Sequence, residues 1–467
     1  MTYHSTRGQA PILGFDDVLL SGLARDGGLY LPQSWPRFET SEIKAMAGLS
    51  YAELATRVML PFLDGAISED EFADLVADTY KGFGHSAVAP LTQLGSNDWL
   101  LELFHGPTLA FKDYALQLLG RLFDHVLKKR GQRITIVGAT SGDTGSAAIE
   151  ACRDRENIDI IILHPKGRTS EVQRRQMTTV LSKNVHNIAL EGSFDDCQDL
   201  VKAMFNDQPF RDACRLSAVN SINWARILGQ IVYYFAAGVA LGAPERDLSF
   251  AVPTGNFGNV YAALGARHLG LPIRQLVIGS NSNDILTRFF ATGRMQSDGV
   301  VPTLSPSMDI QISSNFERYL FDLQKGDAAQ VAARMGAFRQ SGHFEVDDHL
   351  WAEARSLFDA AAFDDQATLD AMRRLHEETG QLIDPHSAIG VAAGRARRKD
   401  PAVPLVSLAT AHAAKFPGAV EKATGIRPAL PPRLADLYQR EERYDVLPHD
   451  ERAVKDYVAQ VAGVKNA

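Results

Sequence analysis

Leu101-Glu-Leu-Phe-His-Gly-Pro-Thr-Leu-Ala-Phe-Lys-Asp113 is the stretch around which this 467-residue chain is organised. It reads as a short extended segment, a turn at Gly106-Pro107, and the start of a helix running through Tyr114, Leu118 and Leu122. Lys112 therefore falls just inside a helix beginning, after the apolar run Leu109-Ala110-Phe111. A lysine there is partly dehydrated and close to the positive end of a helix dipole, and both effects disfavour the ammonium. A neutral amine attacks an aldehyde to form a Schiff base. On local chemistry alone the alternative is an ordinary surface lysine, because most lysines are exposed.

The rest of the composition bounds the function. The length predicts two or three domains of roughly 100–200 residues each. A formal net charge of −8 with no basic stripe argues against nucleic acid and against anionic membrane surfaces. It leaves an anionic small substrate open, because local donors decide that. Cys152, Cys197 and Cys214 contain no C-x-x-C pair, so neither a disulfide framework nor a zinc site is expected and a reducing cytoplasm fits. The histidines lack H-E-x-x-H spacing, so no metal is expected. The N-terminus has no apolar signal-like core. The longest apolar run, 231–243, is too short to span a bilayer and suits a buried helix.

The first ninety residues read as short helices and turns: a strand at Tyr3, helix at 15–20, a tight turn at Gly27-Gly28, a short strand at 29–31, and a helix opened by Ser68-Glu-Asp-Glu71. Beyond residue 90 the pattern becomes strand, glycine loop, helix. Strands are expected at 133–137, 158–163, 187–190, 248–252, 275–278 and 403–408, with helices such as 223–241 and 259–268 between them. This alternation predicts an α/β fold with mostly parallel sheets, whose ligands bind outside the strand carboxyl ends. Residues 346–380 read as helical, 387–395 as another helix, and the tail as a packing extension ending in a helix near 454–461.

Four loops carry groups suited to chemistry. Gly138-Ala-Thr-Ser-Gly-Asp-Thr-Gly145 lacks the G-K-[ST] of a Walker loop and the spacing of G-x-G-x-x-G. It offers backbone N–H groups and the hydroxyls of Thr140, Ser141 and Thr144 at a helix start, which suits a carboxylate or phosphate; a capped helix with turn glycines is the alternative. Asp143 repels an anion directly but organises neighbouring donors. In Thr254-Gly-Asn-Phe-Gly-Asn259, Gly255 and Gly258 let backbone approach a phosphate, or simply make a turn. Asn220-Ser-Ile-Asn-Trp-Ala-Arg226 puts a guanidinium at the start of an apolar helix, usable for bidentate phosphate binding or for an internal ion pair. Thr410 is a strand-end hydroxyl in Leu408-Ala-Thr-Ala-His-Ala-Ala-Lys-Phe416, and His412 is either an outer group of a site or a packed histidine.

His105-Gly-Pro-Thr-Leu-Ala-Phe-Lys-Asp113 resembles the pyridoxal-phosphate lysine motif of threonine synthases, and the other motifs fall in with it. Ser5-Thr-Arg-Gly8 and Gly22-Leu-Ala-Arg-Asp-Gly-Gly-Leu-Tyr-Leu-Pro32 resemble that family's N-terminal domain. The resemblance implies a pyridoxal-phosphate enzyme of the tryptophan-synthase-β-like fold, fold type II. It implies an N-terminal domain over 1–90, a catalytic core over 91–420 with a smaller lobe at roughly 130–220, and a helical extension over 421–467. Lys112 would hold the cofactor aldehyde. Gly255, Asn256, Phe257, Gly258 and Asn259 would cradle its phosphate, and Thr410 would meet its ring nitrogen. Thr140, Ser141, Gly142, Asp143 and Thr144 would hold the substrate carboxylate, and Ser221, Asn223 and Arg226 its phosphate. Ala413 stands where the family has proline, a departure that touches rigidity more than chemistry. The implied reaction converts O-phospho-L-homoserine and water into L-threonine and phosphate, in a cytoplasmic monomer or homodimer. A lyase or dehydratase of the same fold and a ligand-binding paralogue are the rival readings; an intact Lys112 counts against the second.

Overall fold

The computed structural model describes residues 1–218 and 221–464, which divide into two units; Asn220 lies outside the described residues. The first unit joins residues 1–111 and 221–428. Its centre is a six-stranded sheet in the order Phe358–Ala362, Ile273–Ser280, Leu248–Pro253, Leu405–Ala409, Asp98–Glu102, Leu91–Gly95. Every neighbouring pair is parallel except the last, which is antiparallel. Leu248–Pro253 is buried along its whole length, as a strand covered on both faces must be. Because Leu248–Pro253 and Leu405–Ala409 run the same way, Thr254 and Thr410 follow them at the same edge of the sheet.

The helix Pro385–Arg397 lies directly on this sheet, and small residues set its distance. A Cβ added at Gly390 would sit 2.7 Å from Pro253 Cδ, and one at Gly394 2.7 Å from Ala251 Cβ. Only glycine permits that approach. It places the helix's first turn, with Asp384 and Ser387, against Thr410, the residue after Leu405–Ala409.

The N-terminal residues are locked in place by polar contacts. Tyr3–Ser5 pairs antiparallel with Tyr30–Pro32. Arg7 makes a two-pronged contact with Glu317, at 2.9 and 2.8 Å, while Thr6 donates to the same carboxylate. Asp26 accepts from Ser5 and from the amides of Gln9, Ala10 and Gly28. The Ser5-Thr-Arg-Gly8 and Asp26-Gly-Gly28 motifs are thus each other's hydrogen-bonding partners. A group of tilted and edge-on rings, Tyr3, Trp35, Phe62 and Trp224, supplies the apolar part.

The second unit joins residues 112–218 and 429–464. Its five strands are all parallel, in the order Asp445–Pro448, Val185–Glu191, Ile158–Pro165, Ile134–Ala139, Leu216–Ser217. Val137, Ile161, Leu163, Ile188 and Leu190 meet Leu200, Met204, Val454 and Val458 in one apolar core. The tail therefore does more than pack a helix: beside Glu451–Val461 it contributes an edge strand that the sequence reading lacked.

Residues 346–380 also depart from a purely helical reading. Phe358–Ala362 is a strand, pairing in parallel with Ile273–Ser280. Its Phe-Asp-Ala-Ala-Ala sequence has no strand signature of its own, and the exposed edge of the neighbouring strand decides its conformation. Among the described residues no helix is long and apolar enough to cross a membrane.

Candidate active site

In the first unit, the residues leading to Lys112 are hydrogen-bonded to the residues around Thr410. The Phe111 amide donates to the Thr410 carbonyl at 2.9 Å, and the His412 amide to the Leu109 carbonyl at 3.0 Å. Ala110 and Ala411 form an antiparallel bridge between them. The turn at Gly106 to Leu109 is closed by the Leu109 amide on the Gly106 carbonyl, with Leu109 in the left-handed region at φ 63°. Lys415, fully buried, donates its ammonium to the Thr108 carbonyl at 2.7 Å. Half-buried His412 accepts from the Ala414 amide, capping the short helix Ala413–Lys415, and stands edge-on to Phe104.

The loop after Leu248–Pro253 is shaped by its own hydrogen bonds. Thr254 Oγ1 accepts from the Phe257 amide at 3.0 Å, and Phe257 takes a left-handed conformation, φ 60°, that opens the helix Gly258–His268. Asn259 Oδ1 accepts from both Tyr233 and Tyr234, which fixes the amide and leaves buried Nδ2 without a partner. Arg226 is 3% exposed, and among the described residues its Nε and Nη1 have no hydrogen-bond partner. Burial pulls this guanidinium down to about 10, with the Tyr233 phenol acting the other way. A buried cation left unpaired is costly unless an anion completes it.

The remaining members of that stretch differ in role. Asn223 caps the helix Trp224–Ala240, accepting from the Ala225 amide at 2.9 Å and donating to the Leu19 carbonyl at 2.8 Å. Its side chain is committed to the fold. Ser221 Oγ lies 3.5 Å from Ser314 Oγ, which donates to Asn256 Oδ1 at 3.2 Å. Ser313 donates to the Gly255 carbonyl, and the Asn315 backbone and side-chain amides both reach the Asn256 carbonyl. Arg318 completes the brace on the Ile222 and Tyr30 carbonyls. The sequence reading passed over Ser313-Ser-Asn315, since no strand ends there. A run of small polar residues just before the apolar helix Phe316–Leu323 was the available signal.

In the second unit, Lys112 is the first residue of the helix Lys112–Arg130 and is 8% exposed. Its Nζ lies 3.7 Å from Asp143 Oδ2. That pairing is one of distance in the fold, which the sequence around Lys112 does not announce. Asp143 is held in turn by Gln173 Nε2 at 2.9 Å. Thr140 Oγ1 accepts from the amides of Gly142 and Gly145, so it shapes the loop that starts the helix Asp143–Cys152. Ser141 is exposed and Thr144 half-buried.

Pyridoxal phosphate presents an aldehyde, a phosphate and a pyridine nitrogen. This chain carries a buried lysine at a helix start, unpartnered buried donors beside a glycine loop, and a strand-end hydroxyl. The donor set fits the group.

Comparison with known proteins gives the same direction. The model described as threonine synthase N terminus matches residues 2–80, that of the pyridoxal-phosphate dependent enzymes residues 87–356, and the threonine synthase C-terminal model residues 387–458. Threonine synthase of Pseudomonas aeruginosa is 58% identical over 461 residues, 98% of each chain. Pyridoxal-phosphate-bound threonine synthase from Brucella melitensis superposes with a TM-score of 0.97 at 53% identity, over 99% of each chain. The yeast threonine synthase structure does so with a TM-score of 0.93 at 37% identity, again over 99% of each chain.

Proposed function

The chain belongs to the threonine synthase family, a fold type II family of pyridoxal-phosphate-dependent lyases, and from that premise we propose how its residues share the reaction. The substrate is O-phospho-L-homoserine, which with water becomes L-threonine and phosphate. When bound, the cofactor supplies an electron sink for negative charge at the substrate carbons. Lys112 would hold the cofactor aldehyde at rest, and its amine, when free, would carry protons between substrate carbons. Asp143 keeps that amine oriented between transfers. Gly255, Asn256, Phe257, Gly258 and Asn259 hold the cofactor phosphate, and the Thr410 hydroxyl meets the ring nitrogen. A hydroxyl is neither a strong acid nor a counter-ion, so Thr410 would supply the ring nitrogen with neither a proton nor a balancing charge.

Ser141 and Thr144 hold the substrate carboxylate on a loop shaped by Thr140, Gly142 and Asp143. Ser221 and Arg226 hold the substrate phosphate, with Asn223 setting the start of their helix. Phosphate leaves from the γ-carbon with the electrons of its C–O bond, and water adds at the β-carbon. The observation that carries this reading is Arg226, a buried guanidinium with two nitrogens unpartnered among the described residues. A substrate with a carboxylate at one end and a phosphate at the other uses both anion sites. Three buried, unpaired cysteines are compatible with the cytoplasmic location that belongs to the same proposal, as does a monomeric or homodimeric state.

The test is turnover of O-phosphohomoserine in isotopically labelled water. Equal phosphate and threonine, with the label on the threonine β-oxygen, is the expected result. Phosphate with 2-oxobutyrate as the main product would make the chain a lyase of another kind. No phosphate from the substrate would leave a binding protein.

A further inference from the structure

The strand Leu405–Ala409 ends one residue before Thr410, so the Thr410 amide lies beyond the sheet ladder and is buried. A buried N–H requires a partner. Here the partner is a side chain from another element: the Thr410 amide donates to Ser387 Oγ at 2.9 Å. Ser387 is itself fully buried, and its hydroxyl is 3.0 Å from both oxygens of Asp384, also fully buried. A serine hydroxyl has one hydrogen and two lone pairs. The carboxylate takes the hydrogen, which leaves a lone pair directed at the Thr410 amide. Asp384 is fixed in turn as the cap of Pro385–Arg397, accepting from the Ser387 amide at 3.0 Å. That helix cannot drift from the sheet without opening the contacts at Gly390 and Gly394.

The Thr410 backbone is thus held at both ends, its N–H by Ser387 and its carbonyl by Phe111. Only rotation about its side-chain bond remains. We propose that Ser387, with its hydroxyl aimed by Asp384, is the positioning residue that sets where the Thr410 hydroxyl stands toward the cofactor ring. This rests on the reading that Thr410 meets the ring nitrogen. Ser387 touches neither substrate nor cofactor in this scheme; it acts through Thr410.

The experiment is a double-mutant cycle on the holoenzyme, read by the dissociation constant for pyridoxal phosphate and by the absorption maximum of the bound cofactor. Ser387→Ala is expected to weaken cofactor binding about ten-fold, the scale of one lost hydrogen bond, and to move the absorption maximum in the same direction as Thr410→Ala. Ser387→Thr keeps a hydroxyl and restores both. The double variant binds no worse than Thr410→Ala alone, because residues acting through one group are non-additive. Independent, additive losses, or an unmoved spectrum in Ser387→Ala where Thr410→Ala moves it, would overturn the proposal. A silent Thr410→Ala is a different outcome: it removes Thr410 from the cofactor and takes with it the reading on which the proposal rests. If Ser387→Ala does not accumulate folded, Ser387→Cys, a weaker acceptor, makes the same comparison.

Discussion

The carbonyl of Thr410 accepts a hydrogen bond from the amide of Phe111, the residue immediately before Lys112. Two motifs far apart in the chain are therefore one piece of backbone. The Ala110–Ala411 bridge and the Lys415 contact on the Thr108 carbonyl extend the same join. A shift of the Thr410 segment is therefore passed to Phe111 through that hydrogen bond and the bridge beside it.

That join separates two buried lysines. Lys415 has its ammonium committed to the Thr108 carbonyl at 2.7 Å, whereas Lys112 opens a helix beside a carboxylate. Borohydride reduction of the holoenzyme followed by peptide mapping should place the pyridoxyl group on Lys112 and none on Lys415. Lys415→Met should keep the label on Lys112 while lowering stability by about 1–3 kcal/mol, the cost of leaving a buried carbonyl unsatisfied. Label on Lys415 would reverse the assignment.

Arg226 makes a prediction with two signs. Its guanidinium is buried and two of its nitrogens lack partners, so in the ligand-free protein it is a cost. Arg226→Met should leave the thermal midpoint of the ligand-free protein unchanged or higher. The same variant should use O-phosphohomoserine about ten- to a hundred-fold less well, the range of one lost charge-assisted hydrogen bond. With pyridoxal phosphate bound, inorganic phosphate should raise the midpoint of the unsubstituted protein and not of the variant. A variant that is less stable yet still protected by phosphate would make Arg226 a structural residue.

Much of the architecture was legible because buried parallel strands read as apolar runs and glycine loops punctuate them; Leu248–Pro253 and the loop after it are the clearest case. What was not legible has a common cause. Phe358–Ala362 is a strand because of its neighbour, and Asp445–Pro448 because of an open edge. Ser313-Ser-Asn315 reaches residues 255–256 from a distant part of the chain, and Ser387 reaches Thr410 in the same way. Local residue type announces a loop at a strand end. It does not announce which other segment will lie against that loop. The same limit hid Asp143 from the argument about Lys112, since that pairing is a matter of distance.

The loop of residues 140–145 depends on one backbone angle. Gly142 has φ 145°, and a Cβ there would fall 2.4 Å from Gln173 Cδ. Gly142→Ala should therefore strain the backbone by about 1–3 kcal/mol and push Gln173 off Asp143. Gly131→Ala is the control, since Gly131 also has positive φ but has open space around it. Both variants should lose stability in chemical denaturation, and only Gly142→Ala should raise the KM for substrate. Equal KM effects would leave the Gln173 contact without a role in binding.

Glu442 ties the tail to the helix Glu171–Thr178. Arg174 donates to it twice, at 2.8 and 3.0 Å, and Thr178 once, at 2.7 Å. Burial alone would raise this carboxyl, but the hydrogen bonds from Arg174 and Thr178 outweigh it and hold it below its ordinary value. A carboxyl lowered in the folded state stabilises above its unfolded pKa, about 4.3, and loses that contribution as pH falls through the folded value. Hydrogen exchange of Asp445–Pro448, corrected for intrinsic rates, should accelerate as pH is lowered from about 5 toward 3. Glu442→Gln should be fast across the whole range and flat with pH. A pH response that survives in Glu442→Gln would assign the effect to another group.

Ala413 is the first residue of the short helix Ala413–Lys415, and the family's proline belongs at such a position, since proline fits the start of a helix. The preceding residue, His412, has φ −73° and ψ 140°, the extended conformation that a following proline demands. Ala413 itself is buried among Leu369, Met372, Ile383 and Val420, where a ring adds apolar contact. Ala413→Pro should therefore be accepted without strain and should stabilise by about 0.4–1 kcal/mol, chiefly by restricting the unfolded chain. The gain should appear as a higher denaturation midpoint with an unchanged slope. Because the Thr410 backbone is held by Ser387 and Phe111, the absorption maximum of the bound cofactor and the KM should not move. A shifted spectrum would mean that the Ala413 turn, and not those two contacts, sets the position of Thr410.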